Sequence, residues 1–114
     1  FRRVLFRSYS KDGLAAAYRY ESAFRQVLWL NLILIVLTFI LNFDSATKML
    51  LIIASFVSLI TELFNTAVEA AVDHTSTEKH ELAKRAKDAG SAAQLLALTM
   101  LGIVWAIALW RGYV

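Results

Sequence analysis

Three long apolar runs constrain the fold of this chain more than any other feature of its sequence. The first covers residues 27–43, the second has no charged residue from residue 49 to residue 59, and the third covers residues 92–110. A bilayer core of ~30 Å is crossed by about 20 helical residues. The second run continues without Gly or Pro, so we expect its helix to reach about Asp73. The runs therefore predict three transmembrane helices.

Composition supports this interpretation and excludes several classes of protein. The hydrophobic fraction is 59% in 114 residues, which is more than a soluble domain of this size can bury. The absence of Cys excludes disulfide frameworks, zinc ribbons, iron–sulfur clusters and thiol catalysis. With only two His, we expect no transition-metal site. We predict an all-α membrane protein.

The chain is interpreted as one integral-membrane domain, residues 1–114. Six basic residues and apolar residues at helical spacings predict an amphipathic helix at its N-terminus, on the membrane surface. The absence of an initiator Met predicts a truncated or engineered start, so that residues 1–8 are not all native. The predicted segments are a surface helix (1–25), three transmembrane helices (26–43, 47–73 with a cytoplasmic extension, and 91–111) and a cytoplasmic link (74–90).

Basic residues predict the orientation and the first partner. Six lie in the N-terminal segment and four in the link of residues 74–90, against one in residues 44–48 and one in the C-terminal tail. The positive-inside rule therefore places the N-terminus and the second link in the cytoplasm. The net charge of +3 would suit nucleic acid, but in so apolar a chain we expect an anionic membrane surface and no nucleic-acid partner.

A stripe of polar side chains on the second transmembrane helix is the main candidate site. Glu62, Asn65, Glu69 and Asp73 are spaced i, i+3, i+7 and i+11, so they fall within roughly 80° of one another around a helix. Glu62 lies about 22 Å along the helix from Thr47 and is still within the hydrocarbon. A carboxylate at that depth costs several kcal/mol and is by default a functional candidate.

Each of these residues also has a purely structural interpretation. Glu62 could form an ion pair with Arg19 or Arg25. Glu69 and Asp73 could belong to a solvated helix end. The sequence alone leaves these alternatives open.

A third carboxylate, Glu21, is expected to meet Glu69 at the cytoplasmic surface. Its structural alternative is an i,i+4 pair with Arg25. Two carboxylates suit Mg²⁺, which keeps several waters and bridges carboxylates to phosphate groups. The sequence therefore favours Mg²⁺ over zinc.

The charged link of residues 74–90 is a candidate site for a polyanion that carries a sugar or a base. Lys and Arg side chains would meet phosphates, and Glu78 or Asp88 would accept hydrogen bonds from hydroxyl or amino groups. The alternative is a charged surface helix with Thr75 or Ser76 at its N-cap. The chain has neither a P-loop nor a kinase glycine-rich loop.

Three strings identify a family that the chain resembles. They are ESAFRQ (21–26), ELFNTAVEAAVD (62–73) and EKHELAKRAKDAGSAA (78–93). Together they resemble the small prokaryotic integral-membrane diacylglycerol kinases, over about residues 9–110. Undecaprenol kinase is a close relative in that family, and the form AKDAGSAA is more similar to the diacylglycerol branch of Gram-negative bacteria.

The resemblance implies a homotrimer with active sites shared between subunits at the cytoplasmic membrane face. It implies ATP as the phosphate donor, Glu62 as the general base, and Glu21 and Glu69 as ligands of Mg²⁺. Further positions that it assigns to ATP binding are Arg2, Tyr9, Asn65, Asp73, Glu78, His80, Lys87 and Asp88. Those that it assigns to the lipid site, besides Glu62, are Arg2, Ser10, Arg25, Lys48, Ser91, Trp105 and Trp110.

Three functions are compatible with a small apolar chain of this kind. The favoured one is a kinase of the bacterial inner membrane that phosphorylates diacylglycerol, with undecaprenol as the alternative acceptor. A small multidrug or proton-coupled transporter would also carry an intramembrane Glu, but such proteins usually have four spans and little cytoplasmic charge. A membrane subunit without chemistry would leave Glu62 and Asn65 unexplained.

Overall fold

The chain folds into α-helices in the computed structural model, which describes the backbone of residues 2–75 and 81–113 and the side chains of residues 7–74 and 81–112. The helices are α1 (Arg2–Tyr20), α2 (Ser22–Ile40), α3 (Ser45–Thr75) and α4 (Glu81–Tyr113). The described ranges contain no strand. The prediction of an all-α fold is confirmed.

Helices α2, α3 and α4 are long and apolar enough to cross a membrane. Large hydrophobic side chains remain uncovered on all three, among them Trp29, Phe56 and Leu96 at 54%, 53% and 70% exposure. Contiguous apolar faces of this kind are rare on soluble proteins. The protein is therefore a multi-pass membrane protein, and the three predicted transmembrane helices are confirmed.

Helix α1 ends earlier than the surface helix expected from the sequence. It stops at Tyr20, and Glu21 is extended at φ −116° and ψ 105°, whereas the sequence prediction continued to residue 25. The Arg25 guanidinium explains the break, because it donates hydrogen bonds to the carbonyl oxygens of Tyr18 at 2.7 Å and Arg19 at 3.1 Å. These carbonyls lie in the last turn of α1, where no intrahelical partner exists.

Helix α4 joins the predicted link to the third transmembrane helix. It runs from Glu81 to Tyr113 without interruption. The chain contains no Pro, and Gly90 lies within the helix without ending it. Its first turns carry i,i+4 ion pairs from Arg85 to Glu81 at 2.9 Å and from Lys84 to Asp88 at 2.8 Å. Of the two predicted caps, Thr75 is instead the last residue of α3, because that helix continues past Asp73, and Ser76 lies outside the described residues.

The interior of the bundle has an apolar half and a half in which buried polar and apolar residues are mixed. The apolar half lies near the short loop between α2 and α3, where the Phe43 and Trp105 rings meet edge-on at 5.9 Å. Its other buried members are Leu51, Ala54, Leu101 and Ala108. Toward the opposite end, polar residues are buried together with Phe24, Val27 and Ala97; they are Asn31, Ser58, Glu62 and Gln94.

Candidate active site

The polar stripe lies on the half of α3 that is distant from the short loop. Glu62 is buried at 5% exposure, whereas Glu69 and Asp73, two and three turns further on, are exposed. The Asn65 amide donates to a Glu69 carboxylate oxygen at 3.4 Å. Asp73 forms an ion pair with Lys87 of α4 at 2.5 Å. One face of α3 therefore carries a buried carboxylate and, two to three turns further on, exposed charged residues.

Glycine at position 90 allows α4 to approach the stripe closely. A Cβ built at Gly90 would overlap the side-chain oxygen of Asn65, and its next nearest atoms also belong to Asn65. That oxygen is buried and has no hydrogen-bond partner among the described residues. The absence of a side chain at Gly90 thus allows the α4 backbone to pack directly against the Asn65 side chain.

The second helix brings a further carboxylate to the same end of the bundle. Asn31 of α2 donates to the Ser58 hydroxyl of α3 at 2.8 Å, which sets the register of the two helices. Because consecutive helices here run antiparallel, Glu21, ten residues before Asn31, falls near the level of Glu69. The Glu62 carboxylate interacts electrostatically with both Glu69 and Glu21.

The donor set of this end fits a hard divalent cation better than a transition metal. No group of three or more His, Cys, Asp or Glu side chains in the described ranges is arranged to hold a metal by itself. Two carboxylates, Glu21 and Glu69, lie within electrostatic range of Glu62. Mg²⁺ is commonly bound by one or two carboxylates, with water and substrate phosphates as its remaining ligands.

The ion-pair interpretation of Glu62 finds no support in the described residues. None of the ion pairs there includes Glu62. The Arg25 guanidinium is directed to two carbonyls of α1 instead. Glu62 is therefore a buried carboxylate without a described cationic partner.

The candidate ATP residues are spread over three elements. Lys87 pairs with Asp73, and Asp88, the next residue of α4, pairs with Lys84. Tyr9 is 68% exposed on α1. The Arg2 side chain, Glu78 and His80 lie outside the described residues.

The candidate lipid residues fall into two groups at opposite ends of the bundle. Ser10 of α1 is exposed, Arg25 is half-buried, and Ser91 is exposed next to Gly90. The second group lies near the short loop: Lys48 in the first turn of α3, Trp105 in the apolar core, and Trp110 near the end of α4. The structure does not bring the second group to the polar stripe, because about 20 Å of α4 separates Ser91 from Trp105.

Sequence analysis missed the buried polar residues that surround Glu62. Gln94 and Asn31 are at 7% and 0% exposure, and Ser58 is also buried. The sequence did contain a helical pattern that could have predicted the burial of Gln94. Gln94 lies three and seven residues before Ala97 and Leu101, which are buried on the same face of α4. This pattern becomes informative only when the structure shows that this face of α4 packs inside the bundle.

Comparisons with known proteins identify the family of this chain. The family described as prokaryotic diacylglycerol kinase matches residues 8–109. The chain is 48% identical to a diacylglycerol kinase of Pseudomonas aeruginosa over 98 residues, which cover 86% of this chain and 80% of the relative. It is 50% identical to a Helicobacter pylori diacylglycerol kinase over 97 residues, covering 85% and 76%. For the Escherichia coli K12 diacylglycerol kinase the identity is 45% over 105 residues, covering 92% and 86%. Agreement over most of this chain and most of each relative shows that the chain belongs to the prokaryotic diacylglycerol kinase family.

Proposed function

We propose that the protein is a lipid kinase that transfers the γ-phosphate of ATP to the hydroxyl of diacylglycerol, giving phosphatidic acid and ADP. Family membership supports the reaction class. The observation that carries the proposal is the buried Glu62, placed on one helix face with carboxylates that open to the aqueous end. Such a stripe joins the phase that holds the lipid to the phase that holds ATP.

Glu62 is the proposed general base. Its carboxylate accepts the proton of the lipid hydroxyl as that oxygen forms a bond to the γ-phosphorus. The bond from this phosphorus to the β,γ-bridging oxygen breaks, and ADP leaves with the electron pair. Phosphoryl transfer depends mainly on positioning and on neutralising charge. One general base and a set of charged side chains can therefore provide the groups that the reaction needs.

The exposed end of the stripe is the proposed nucleotide side. Glu21 and Glu69 would hold Mg²⁺, which neutralises phosphate charge when it is bound. Lys87 lies beside Asp73 and is placed to exchange that partner for a phosphate. Arg2, Tyr9, Asn65, Glu78, His80 and Asp88 complete the proposed ATP site.

The lipid is proposed to lie along the bundle with its hydroxyl at Glu62. Arg2, Ser10, Arg25 and Ser91 would surround the headgroup. Lys48, Trp105 and Trp110 are about 20 Å further along the helices. Contacts from this second group would therefore be with acyl chains.

The proposed location is the bacterial inner membrane, with the N-terminus and the segment between α3 and α4 in the cytoplasm. The bias of basic residues toward these segments supports this orientation. It places the exposed carboxylates on the side that contains ATP. The proposed assembly is a homotrimer with shared sites.

A phosphorylation assay in mixed micelles tests the function. Purified protein receives ATP with either diacylglycerol or undecaprenol, with and without Mg²⁺. We expect Mg²⁺-dependent phosphatidic acid formation and little undecaprenyl phosphate. Preference for undecaprenol would assign the chain to the other branch, and no turnover with either lipid would refute the kinase proposal.

A further inference from the structure

Gln94 is a buried side chain whose hydrogen-bonding groups are not satisfied by the protein. It is 7% exposed, and neither its amide nitrogen nor its amide oxygen has a hydrogen-bond partner among the described residues. A buried amide without a partner costs about 1–3 kcal/mol. Membrane interiors offer no bulk water to offset this cost, so a function is a reasonable explanation.

The packing of α4 against α3 places Gln94 opposite Glu62. Gly90 abuts Asn65, and Gln94 lies one turn beyond Gly90 on the same face of α4. Glu62 lies one turn before Asn65 on α3, and the two helices run in opposite directions. The Gln94 amide consequently approaches the Glu62 carboxylate, although it does not reach hydrogen-bonding geometry.

The chemistry of the two groups is complementary. A glutamine amide offers two N–H donors, and an ionised carboxylate is purely an acceptor. The terminal torsion of a Gln side chain has a broad energy profile, so the amide can turn an N–H toward one carboxylate oxygen. The second oxygen would then keep a fixed direction.

We propose that Gln94 is a positioning residue that orients the Glu62 carboxylate for accepting the proton of the lipid hydroxyl. This inference rests on the proposed function, in which Glu62 is the base. Gln94 itself transfers no proton. Gln94 is the buried amide of α4 that lies next to the Glu62 carboxylate.

Kinetics of two variants test the inference. Gln94→Leu keeps the approximate volume and removes the amide. We expect it to lower kcat about 10–100-fold, because a base that loses its fixed direction is misplaced relative to the reacting hydroxyl, with an unchanged KM for Mg-ATP. Thr99→Val is the matched control, since it also removes a polar group from α4, but from an exposed position; it should keep wild-type kcat.

A double variant separates positioning from packing. If Gln94 acts through Glu62, Gln94→Leu should cause no further loss of kcat when Glu62 is already Gln. An equal loss in both backgrounds would mean that Gln94 serves packing alone. An unchanged kcat in Gln94→Leu would overturn the inference and leave the kinase function intact, whereas an inactive wild-type protein would refute the function itself.

Side-chain NMR keeps the test valid even if Gln94→Leu does not fold. The chain contains only two Gln residues, Gln26 and Gln94, so selective labelling gives two pairs of amide signals. We expect Glu62→Met, which removes the carboxylate without adding a third Gln, to shift the Gln94 amide signals and to leave those of the exposed Gln26 in place. Unshifted Gln94 signals would contradict the proposed contact.

Discussion

At the scale of single residues, Glu62 is both buried and the proposed general base. Glu62→Gln removes the base but keeps the shape of the side chain. We expect kcat to fall by about 10²–10⁴, the usual contribution of general acid–base catalysis, while Mg-ATP still binds. Thermal stability should hold or rise, because a buried charge is removed.

Turnover, nucleotide binding and thermal unfolding of Glu62→Gln are best measured on one preparation. More than about a tenth of the wild-type kcat would exclude Glu62 as the base, given the magnitude of such catalysis. A variant that unfolds would instead reveal a structural ion pair.

Gly90 offers a second test, because its effect depends on one contact. Gly90→Ala places a Cβ against the Asn65 oxygen, so Asn65 must turn away from its present position. Small displacements near a reacting centre can cost up to about 10²-fold, and we expect a 10–100-fold loss of activity with the bundle still folded.

Gly102→Ala is the control for this change. A Cβ at Gly102 meets nothing within 4 Å, and Ala is the better helix former by about 1 kcal/mol. This variant should keep full activity and unfold at an equal or higher temperature. If Gly90→Ala behaves in the same way, the placement of Asn65 is not required.

Sequence predicted part of the site, and the limit has a physical cause. The spacing of Glu62, Asn65, Glu69 and Asp73 along one helix was sufficient to predict their common face, since helical periodicity is local. Gly90 and Gln94 matter only because α4 packs on that face. A contact between two helices is not contained in the periodicity of either one.

At the scale of elements, the N-terminus of α3 responds to pH. A hydrogen bond from the Thr47 side chain is the main reason why the pKa of Asp44 lies below its usual range, and the Thr47 backbone N–H and the charge of Arg111 act in the same direction. The backbone N–H contact to the Asp44 carboxylate is 3.3 Å. Asp44 is thus the N-cap of α3, a position that Asp favours.

Because the folded pKa of Asp44 is lowered, its contribution to stability is present above the unfolded pKa of ~3.9 and is lost as the pH falls through the folded value. Asp44→Asn keeps a capping oxygen but does not titrate. We therefore expect the unfolding temperature of the wild type to fall more steeply than that of the variant below about pH 5. Parallel curves from a thermal unfolding series in detergent would contradict this role.

Element boundaries were harder to predict than element types. The apolar runs predicted the three spans, because length and hydropathy are properties of each segment. The end of α1 at Tyr20 depends instead on Arg25 binding two carbonyls of the preceding helix. The continuity of α4 through Gly90 was likewise not predicted, because a Gly within a helix costs only about 1 kcal/mol and does not by itself end it.

At the scale of the whole molecule, one chain holds the carboxylates but leaves α1 largely uncovered. Ala17 is the only buried residue among the α1 side chains described, residues 7–20. Tyr9 lies about 18 Å along α1 from its end near Glu21. In the proposed trimer with shared sites, Tyr9 would therefore serve the ATP site of a neighbouring chain.

Mixing experiments test this arrangement. A Tyr9→Ala chain keeps the carboxylates, and a Glu62→Gln chain keeps α1, so mixed trimers should contain some intact sites. Random assembly of equal amounts would restore about a quarter of the wild-type activity, because each site needs one chain of each kind in a given order. Glu69→Gln mixed with Glu62→Gln is the control, since both residues lie on α3 of one chain and no intact site can form. With subunit exchange verified by crosslinking, rescue in neither mixture would place Tyr9 and Glu62 in the same chain's site, and rescue in the first alone would establish that the site is shared.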